Sequence, residues 1–367
     1  MSVWTDWDPL EEVIVGNCYT SVPNNWGATS EEKKLLDQIF QETKEDLDNL
    51  STFIESFGIK VHRPKLYEFS EEIELPKFKV LKAMNPIVPR DQYLVYGNTI
   101  YQTYTSMSDR YFDSYHYYDI FLELYKNNHN WISQPPPLIS NFEFEDKWYT
   151  DGHKVYSEDY KDKLLWHTAT MFKCGDALIT NTSGPGTQLG LEWMHKNINS
   201  NCKVLPNVKT VLDSWGHIDQ GFFMTDDDTV ICMNKDWIPI VLRNKKIIEI
   251  GNLFELFDYD DYLTRTTKIK DKHSLSWLEE WFSEWKGYSQ DIVFEMNVLV
   301  LDSQNVIFST ELPKVFELLK TFGINCHVCK LRHGMFWESG IHCMTLDVKR
   351  SGNCRNICRN IFNLKFK

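Results

Sequence analysis

Met296-Asn297-Val298-Leu299-Val300-Leu301, a polar turn from Asp302 to Asn305, Val306-Ile307-Phe308, a helical stretch from Pro313 to Phe322 and Ile324-Asn325-Cys326-His327-Val328 decide the fold class. The three apolar, β-branched runs read as strands and the longer stretch between the second and third reads as a helix. The order is strand, strand, helix, strand, a ββαβ unit. Working outward, Ala177-Leu178-Ile179-Thr180, a helix from Thr187 to Asn197 and Lys203-Val204-Leu205 give strand, helix and strand again. Tyr93 to Tyr101 reads as a hairpin around Gly97-Asn98, followed by an aromatic helix from about Ser108 to Lys126. At the N-terminal side, Glu12-Val13-Ile14-Val15-Gly16 is a strand stopped by glycine, and Ser30 to Phe57 is a helix with a capping start at Ser30-Glu31-Glu32-Lys33. Ile59 to Pro64 is the next strand. The units share no detectable sequence identity, yet the rhythm returns several times and no low-complexity linker interrupts it. This predicts one continuous α/β domain over residues 1–367, with a basic tail at 351–367; periodicity alone also permits a doubly wound sheet.

Composition narrows the function. The chain has 367 residues, 42% hydrophobic and 14% aromatic, enough to bury a large core. A formal net charge of -13 repels nucleic acid and anionic membranes and draws cations toward any acidic cleft. The N-terminal residues carry no signal-peptide pattern and no stretch approaches a membrane span, so a soluble cytoplasmic protein is expected. Nine scattered cysteines read as reduced thiols. Cys326-His327-Val328-Cys329 matches a metal-ligand spacing but falls on a strand with no second pair, and Cys354 and Cys358 read as incidental helical neighbours in the tail. The aperiodic segment from Ser133 to about Tyr160 is expected to be a long surface loop, either a lid or a decoration. Trp277, Trp281 and Trp285, at i,i+4 spacing, are expected to pack a helix.

Two short motifs carry chemistry. Cys343 lies in Gly340 to Arg350, and His217-Ile218-Asp219 lies well upstream. A thiol, an imidazole and a carboxylate are the parts required for covalent attack on a planar cationic carbon such as that of a guanidinium. In a strand, the two-residue spacing would put His217 and Asp219 on one face.

Six motifs in order, Trp7 to Gly16, Pro89-Arg90-Asp91, Leu189 to Met194, His217-Ile218-Asp219, Met296 to Asp302 and His342 to Arg350, resemble the arginine amidinotransferase family. The resemblance implies a five-bladed pseudosymmetric propeller of ββαβ modules, the pentein fold of the guanidino-group-modifying superfamily. It implies transfer of an amidino group from L-arginine to an acceptor amine through an amidino-cysteine, without metal or organic cofactor. A homodimer is the assembly to expect. In the implied roles Cys343 is the nucleophile and His217 the general acid and base, while Asp91 and Asp219 accept N–H bonds from the guanidinium.

The chain also departs from the pattern. Trp166-His167-Thr168-Ala169-Thr170 stands where the family has Phe-Asp-Ala-Ala-Asp, so His167 occupies the place of the carboxylate that orients the catalytic histidine. The arginine that holds the donor carboxylate falls at Trp237, with Lys235 nearby as a substitute. The approach to the nucleophile, Glu338-Ser339-Gly340-Ile341-His342, has one glycine where a glycine run is usual. Three readings follow: an amidinotransferase with an acceptor other than glycine allowed, in specialised metabolism; a deiminase or dihydrolase in which water resolves the adduct; and an impaired homologue that binds a guanidino compound or a protein. In the first two, Cys343, His217, Asp91 and Asp219 must converge on one pocket.

Overall fold

The computed structural model describes residues 2–22, 30–67, 73–75, 78–80, 85–105, 110–137, 162–181, 186–198, 203–207, 217–251, 296–334, 336–337 and 339–358. Most of the expected surface loop, the tryptophan triplet, and the end of the tail lie outside these residues. In chain order come β1 (Leu10–Val15), α1 (Ser30–Glu55), β2 (Lys60–His62), the small hairpin β3 (Ile73–Leu75) and β4 (Phe78–Val80), then β5 (Tyr93–Tyr96), β6 (Thr99–Gln102), α2 (Asp113–Lys126) and β7 (Asn130–Ser133). β8 (Met171–Cys174), β9 (Ala177–Asn181), α3 (Gln188–Asn197) and β10 (Lys203–Asn207) follow. The last elements are β11 (Phe222–Met224), β12 (Thr229–Cys232), β13 (Lys246–Glu249), β14 (Leu299–Asp302), β15 (Asn305–Phe308), α4 (Pro313–Thr321), β16 (Asn325–Val328) and β17 (Thr345–Arg350).

Among the described residues, five three-stranded sheets repeat one plan, with the middle strand antiparallel to one neighbour and parallel to the other. Parallel neighbours need a crossover, and α1, α2, α3 and α4 supply it in four units. In the β11–β13 unit two 3-10 turns, Lys235–Trp237 and Ile240–Leu242, lie between β12 and β13 instead. The first sheet joins both ends of the chain: β17 pairs with β1 in the register Val13↔Asp347 and Val15↔Thr345. That closure brings the segment before β17 against the start of the chain, where the Gly16 N–H donates to the Met344 carbonyl at 2.8 Å.

The local chemistry explains these elements. Tyr93-Leu94-Val95-Tyr96 is buried at every position, so this strand is covered on both faces and shows a continuous apolar run instead of alternation. Its turn into β6 needs a positive φ, which Gly97 takes at 58°. α3 begins where the Thr187 hydroxyl accepts the Gly190 N–H at 3.0 Å. One apolar cluster joins Trp7, Phe172, Phe222, Val306, Phe308 and Ile357 across several sheets, and another packs Leu36, Phe40, Leu47 and Leu50 of α1 against Val13 and Leu299. No helix among the described residues is long and apolar enough to cross a membrane.

The tail differs from expectation. Residues 351–358 are not helical: Asn356 bridges to Gly175, and Arg355 reaches Asp8 and Asp227. Cys354 is exposed, whereas Cys358 is buried with its sulfur 3.2 Å from that of Cys174. Pairing of Arg355 with two carboxylates holds the segment extended against the body, which an i,i+4 helical arrangement would forgo.

Candidate active site

Each of the five sheets is preceded by a tight segment that carries one or more polar residues into a shared region. Asp91 ends the 3-10 turn Pro89–Asp91 before β5, and His167 precedes the turn Thr168–Thr170 before β8. His217 precedes Ile218–Gln220 before β11. Asn297 lies just ahead of β14, and His342 and Cys343 lie in the turn that leads into β17. His217 and Asp219 therefore do not share a strand face as expected: His217 is extended, with φ -77° and ψ 115°, and the 3-10 turn after it carries Asp219. The turn still brings both groups to the thiol.

Cys343 is 2% exposed. The Asn297 side-chain amide donates to its sulfur at 3.0 Å and to Asp219 Oδ2 at 2.9 Å, while Asn297 Oδ1 accepts the Cys343 main-chain N–H at 2.9 Å. The thiol itself lies 3.4 Å from Asp219 Oδ2. Donor atoms of His217, Asp219 and Cys343 all fall within 4.8 Å of one another. Gly340 is required here for space, since a Cβ would stand 2.6 Å from Cβ of Asn297; this is a demand that one glycine meets and that involves no positive φ. Burial first, then the Asp219 and Asp91 carboxylates, push the Cys343 thiol well above its ordinary value, against the opposing pull of Asn297 and Arg90.

The two carboxylates have the same arrangement. Asp91 Oδ2 is held by Arg110 Nη1, while Asp91 Oδ1 is buried with no hydrogen-bond partner. Asp219 Oδ2 accepts from His342 Nδ1 at 2.6 Å as well as from Asn297, and Asp219 Oδ1 is likewise buried and unpartnered. Burial pushes both carboxyls up, but the Arg110 guanidinium beside Asp91 and the His342 hydrogen bond to Asp219 outweigh it, holding both below the ordinary carboxylate range. Two ionised groups, each with one oxygen tied back and one free, suit a planar cation with several N–H donors.

His217 Nε2 lies 4.0 Å from Asp91 Oδ1. The His167 and His217 rings have centroids 5.8 Å apart. Burial pushes the imidazolium of His167 down to about 3, so the ring is neutral at physiological pH, and neither of its nitrogens has a partner. His167 thus stands beside the histidine as expected, but the carboxylate near His217 is Asp91. Glu192 is exposed on α3, where its carboxylate accepts from the Gln188 side-chain amide. Lys235 is exposed in its 3-10 turn, and the Trp237 side chain lies outside the described residues.

Beneath the thiol lies a buried ionic floor. Asp347, fully buried, accepts Arg90 Nη2 at 2.8 Å, Arg350 Nε at 3.0 Å and Lys173 Nζ at 3.1 Å. Arg90 Nε also donates to the carbonyls of His342 at 2.8 Å and Thr345 at 3.1 Å, which fixes the turn carrying Cys343. Asn297, Arg110 and His342 were not singled out by sequence reading. Asn297 and His342 sit inside motifs whose strongest signals are an apolar run and a cysteine, and Arg110 precedes α2, which begins only at Asp113. Among the described residues, neither Cys326 nor Cys329 belongs to a group able to hold a metal.

No family model matches the chain. Among curated proteins it is 25% identical to inosamine-phosphate amidinotransferase 1 of Streptomyces griseus, over 96% of this chain and 97% of that protein. It is 24% identical to the mitochondrial glycine amidinotransferase of Danio rerio over 96% of this chain and 83% of that protein. It is 21% identical to the L-arginine:L-lysine amidinotransferase of Pseudomonas savastanoi pv. phaseolicola over 95% of this chain and 94% of that protein. Among solved structures, that of the Streptomyces griseus inosamine-phosphate amidinotransferase superposes with a TM-score of 0.72 at 24% identity, covering 96% of this chain and 98% of that one. An amidinotransferase from Microseira wollei gives 0.71 at 20% identity, over 97% and 99% of the two chains. The N-terminal domain of a cyanobacterial arginine dihydrolase gives 0.54 at 10% identity, over 94% and 98%. These likenesses show the pentein fold.

Proposed function

We propose that this chain, a member of the amidinotransferase family, moves the amidino group of L-arginine to an acceptor amine through a covalent adduct on Cys343. The supporting observation is the meeting of a buried thiol, an imidazole and two carboxylates that each keep one unpartnered oxygen. Asp91 Oδ1 and Asp219 Oδ1 accept N–H bonds from the two sides of the guanidinium and hold its central carbon against the sulfur. The cation offsets the two carboxylates that keep the thiol protonated, so the thiolate forms once substrate is seated.

Sulfur attacks the guanidinium carbon and its proton passes to His217, which hands it to the nitrogen of the departing amine as that C–N bond breaks. Ornithine leaves and the amidino group stays on Cys343. In the second half the neutral form of the incoming amine attacks the amidino carbon, His217 takes the proton that its nitrogen sheds, and as the C–S bond breaks that proton passes to the sulfur, restoring the thiol. Asp91, 4.0 Å from His217, supplies the opposite charge that an imidazolium requires and that neutral His167 does not. His167 completes the pocket wall as an acceptor for one substrate N–H.

The reading takes residues 1–367 as one catalytic domain in the cytoplasm, a reducing compartment that suits nine scattered cysteines. The test is ornithine release from arginine with and without added amines. Release that requires an amine supports transfer. Equal release in its absence means that water resolves the adduct, and no release with any amine rejects the enzymatic reading.

A further inference from the structure

We propose that His167, Asp91 and His217 form a binding site for a divalent transition-metal ion of the zinc or cobalt kind. One donor atom from each of the three lies within 4.8 Å of the others. A metal bond of roughly 2.0–2.2 Å to each of three such atoms needs only a modest inward turn of the side chains. The donor set, two imidazoles and one carboxylate, suits borderline transition metals better than magnesium or calcium, which favour all-oxygen cages.

The second observation is the condition of the donors. His167 is 5% exposed, and both of its nitrogens are without a hydrogen-bond partner; Asp91 Oδ1 is also buried and unpartnered. A buried imidazole is normally tied down through at least one nitrogen. Here the ring has an unused lone pair beside an unused carboxylate oxygen, with a second imidazole across from both. Asp91 is oriented by Arg110, which leaves Oδ1 as its free ligand atom.

His217 also belongs to an overlapping group with Asp219 and Cys343, in which a metal would bind a thiolate. The two sites share one histidine, so a metal occupies one or the other; the Cys343 sulfur already accepts from Asn297, whereas both His167 nitrogens and Asp91 Oδ1 are unpartnered, which favours the thiol-free set. Metal at the proposed site uses His167, Asp91 Oδ1 and His217, all given to the arginine reaction above, and so competes with arginine. That consequence alone rests on the transfer reading; the binding itself does not.

The test titrates Zn²⁺ into the chelator-treated full chain by calorimetry, alongside His167→Gln and Cys343→Ala, with thermal unfolding to verify that each variant folds. The proposal expects one ion per chain, affinity retained in Cys343→Ala, and a loss in His167→Gln exceeding the roughly 10–100-fold typical of removing a mere outer partner. Absence of binding, binding lost in Cys343→Ala, or binding unaffected in His167→Gln overturns it. If His167→Gln does not fold, the Co²⁺ spectrum of the wild-type chain decides: d–d bands of nitrogen and oxygen ligands support the site, and a near-ultraviolet thiolate charge-transfer band refutes it.

Discussion

Asn297 holds Cys343 at two points, donating its amide N–H to the sulfur at 3.0 Å and accepting the Cys343 main-chain N–H at 2.9 Å. One planar side chain thereby fixes both the position of the nucleophile and the stabilisation available to its anion. A hydrogen bond to the charged form lowers a thiol's pKa, and here it works against burial and two carboxylates. Asn297→Ala is expected to slow adduct formation from arginine by about 10²–10³-fold, the cost of removing one preorganised donor from a developing anion. Rapid-quench single-turnover measurements check it, and Asn297→Asp should be slower still because a third carboxylate would face the sulfur.

Asp219 opposes the thiolate and attracts the guanidinium, so its removal should separate the two effects. In Asp219→Asn the anion beside Cys343 is gone, the thiol titrates lower, and iodoacetamide alkylation near about pH 8 becomes faster than in the wild type, whose Cys343 reacts well only at higher pH than an ordinary thiol of about 8.5. The same variant should fail to accumulate the amidino adduct. Slower alkylation of a folded Asp219→Asn chain would contradict the assignment.

The two histidines should behave unequally. His217 carries the proton in both half-reactions, and His217→Ala is expected to lower ornithine release by about 10²–10⁴-fold. His167 is neutral and cannot charge near neutral pH, so His167→Ala should cost less and leave the acid limb of the rate profile unmoved. Initial rates across pH test both statements.

How much of this was legible in the sequence depends on the range over which each signal acts. The β14–β16 unit was readable because its apolar run, turn and helix are local patterns, and the repeat of that rhythm matched the five sheets. Cys343, His217, Asp91 and Asp219 were readable as motif residues, and the fold brings them together. Arg110 was not, because its meaning lies in its pairing with Asp91, 19 positions earlier, and with Asp113. The strand assumed for His217 and Asp219 was wrong because two residues of spacing cannot distinguish an extended segment from the entry to a 3-10 turn. The fate of the tail cysteines depended on Arg355 meeting Asp8 and Asp227, contacts far apart in sequence.

The floor beneath the thiol should be felt as stability. Removing Asp347 leaves Arg90, Lys173 and Arg350 buried without their shared anion, and Asp347→Ala is expected to cost about 3–5 kcal/mol in denaturant unfolding. Burial pushes the Asp347 carboxyl up, but Arg350, Lys173 and Arg90 outweigh it and hold it well below the ordinary range. With the folded value depressed, its stabilisation is complete above the unfolded carboxylate pKa of about 4 and is lost as pH falls below that toward the folded value. Stability measured against pH should therefore fall on the acid side in the wild type and fall less in Asp347→Asn.

Uptake of the amidino group by Cys343 is read by acid-quenching the protein with arginine in the absence of any amine and mapping the peptide that contains Cys343. A mass gain of one amidino group on that residue is expected, removed on addition of a competent acceptor and absent in Cys343→Ala. An unmodified Cys343 in protein that nevertheless releases ornithine would contradict it.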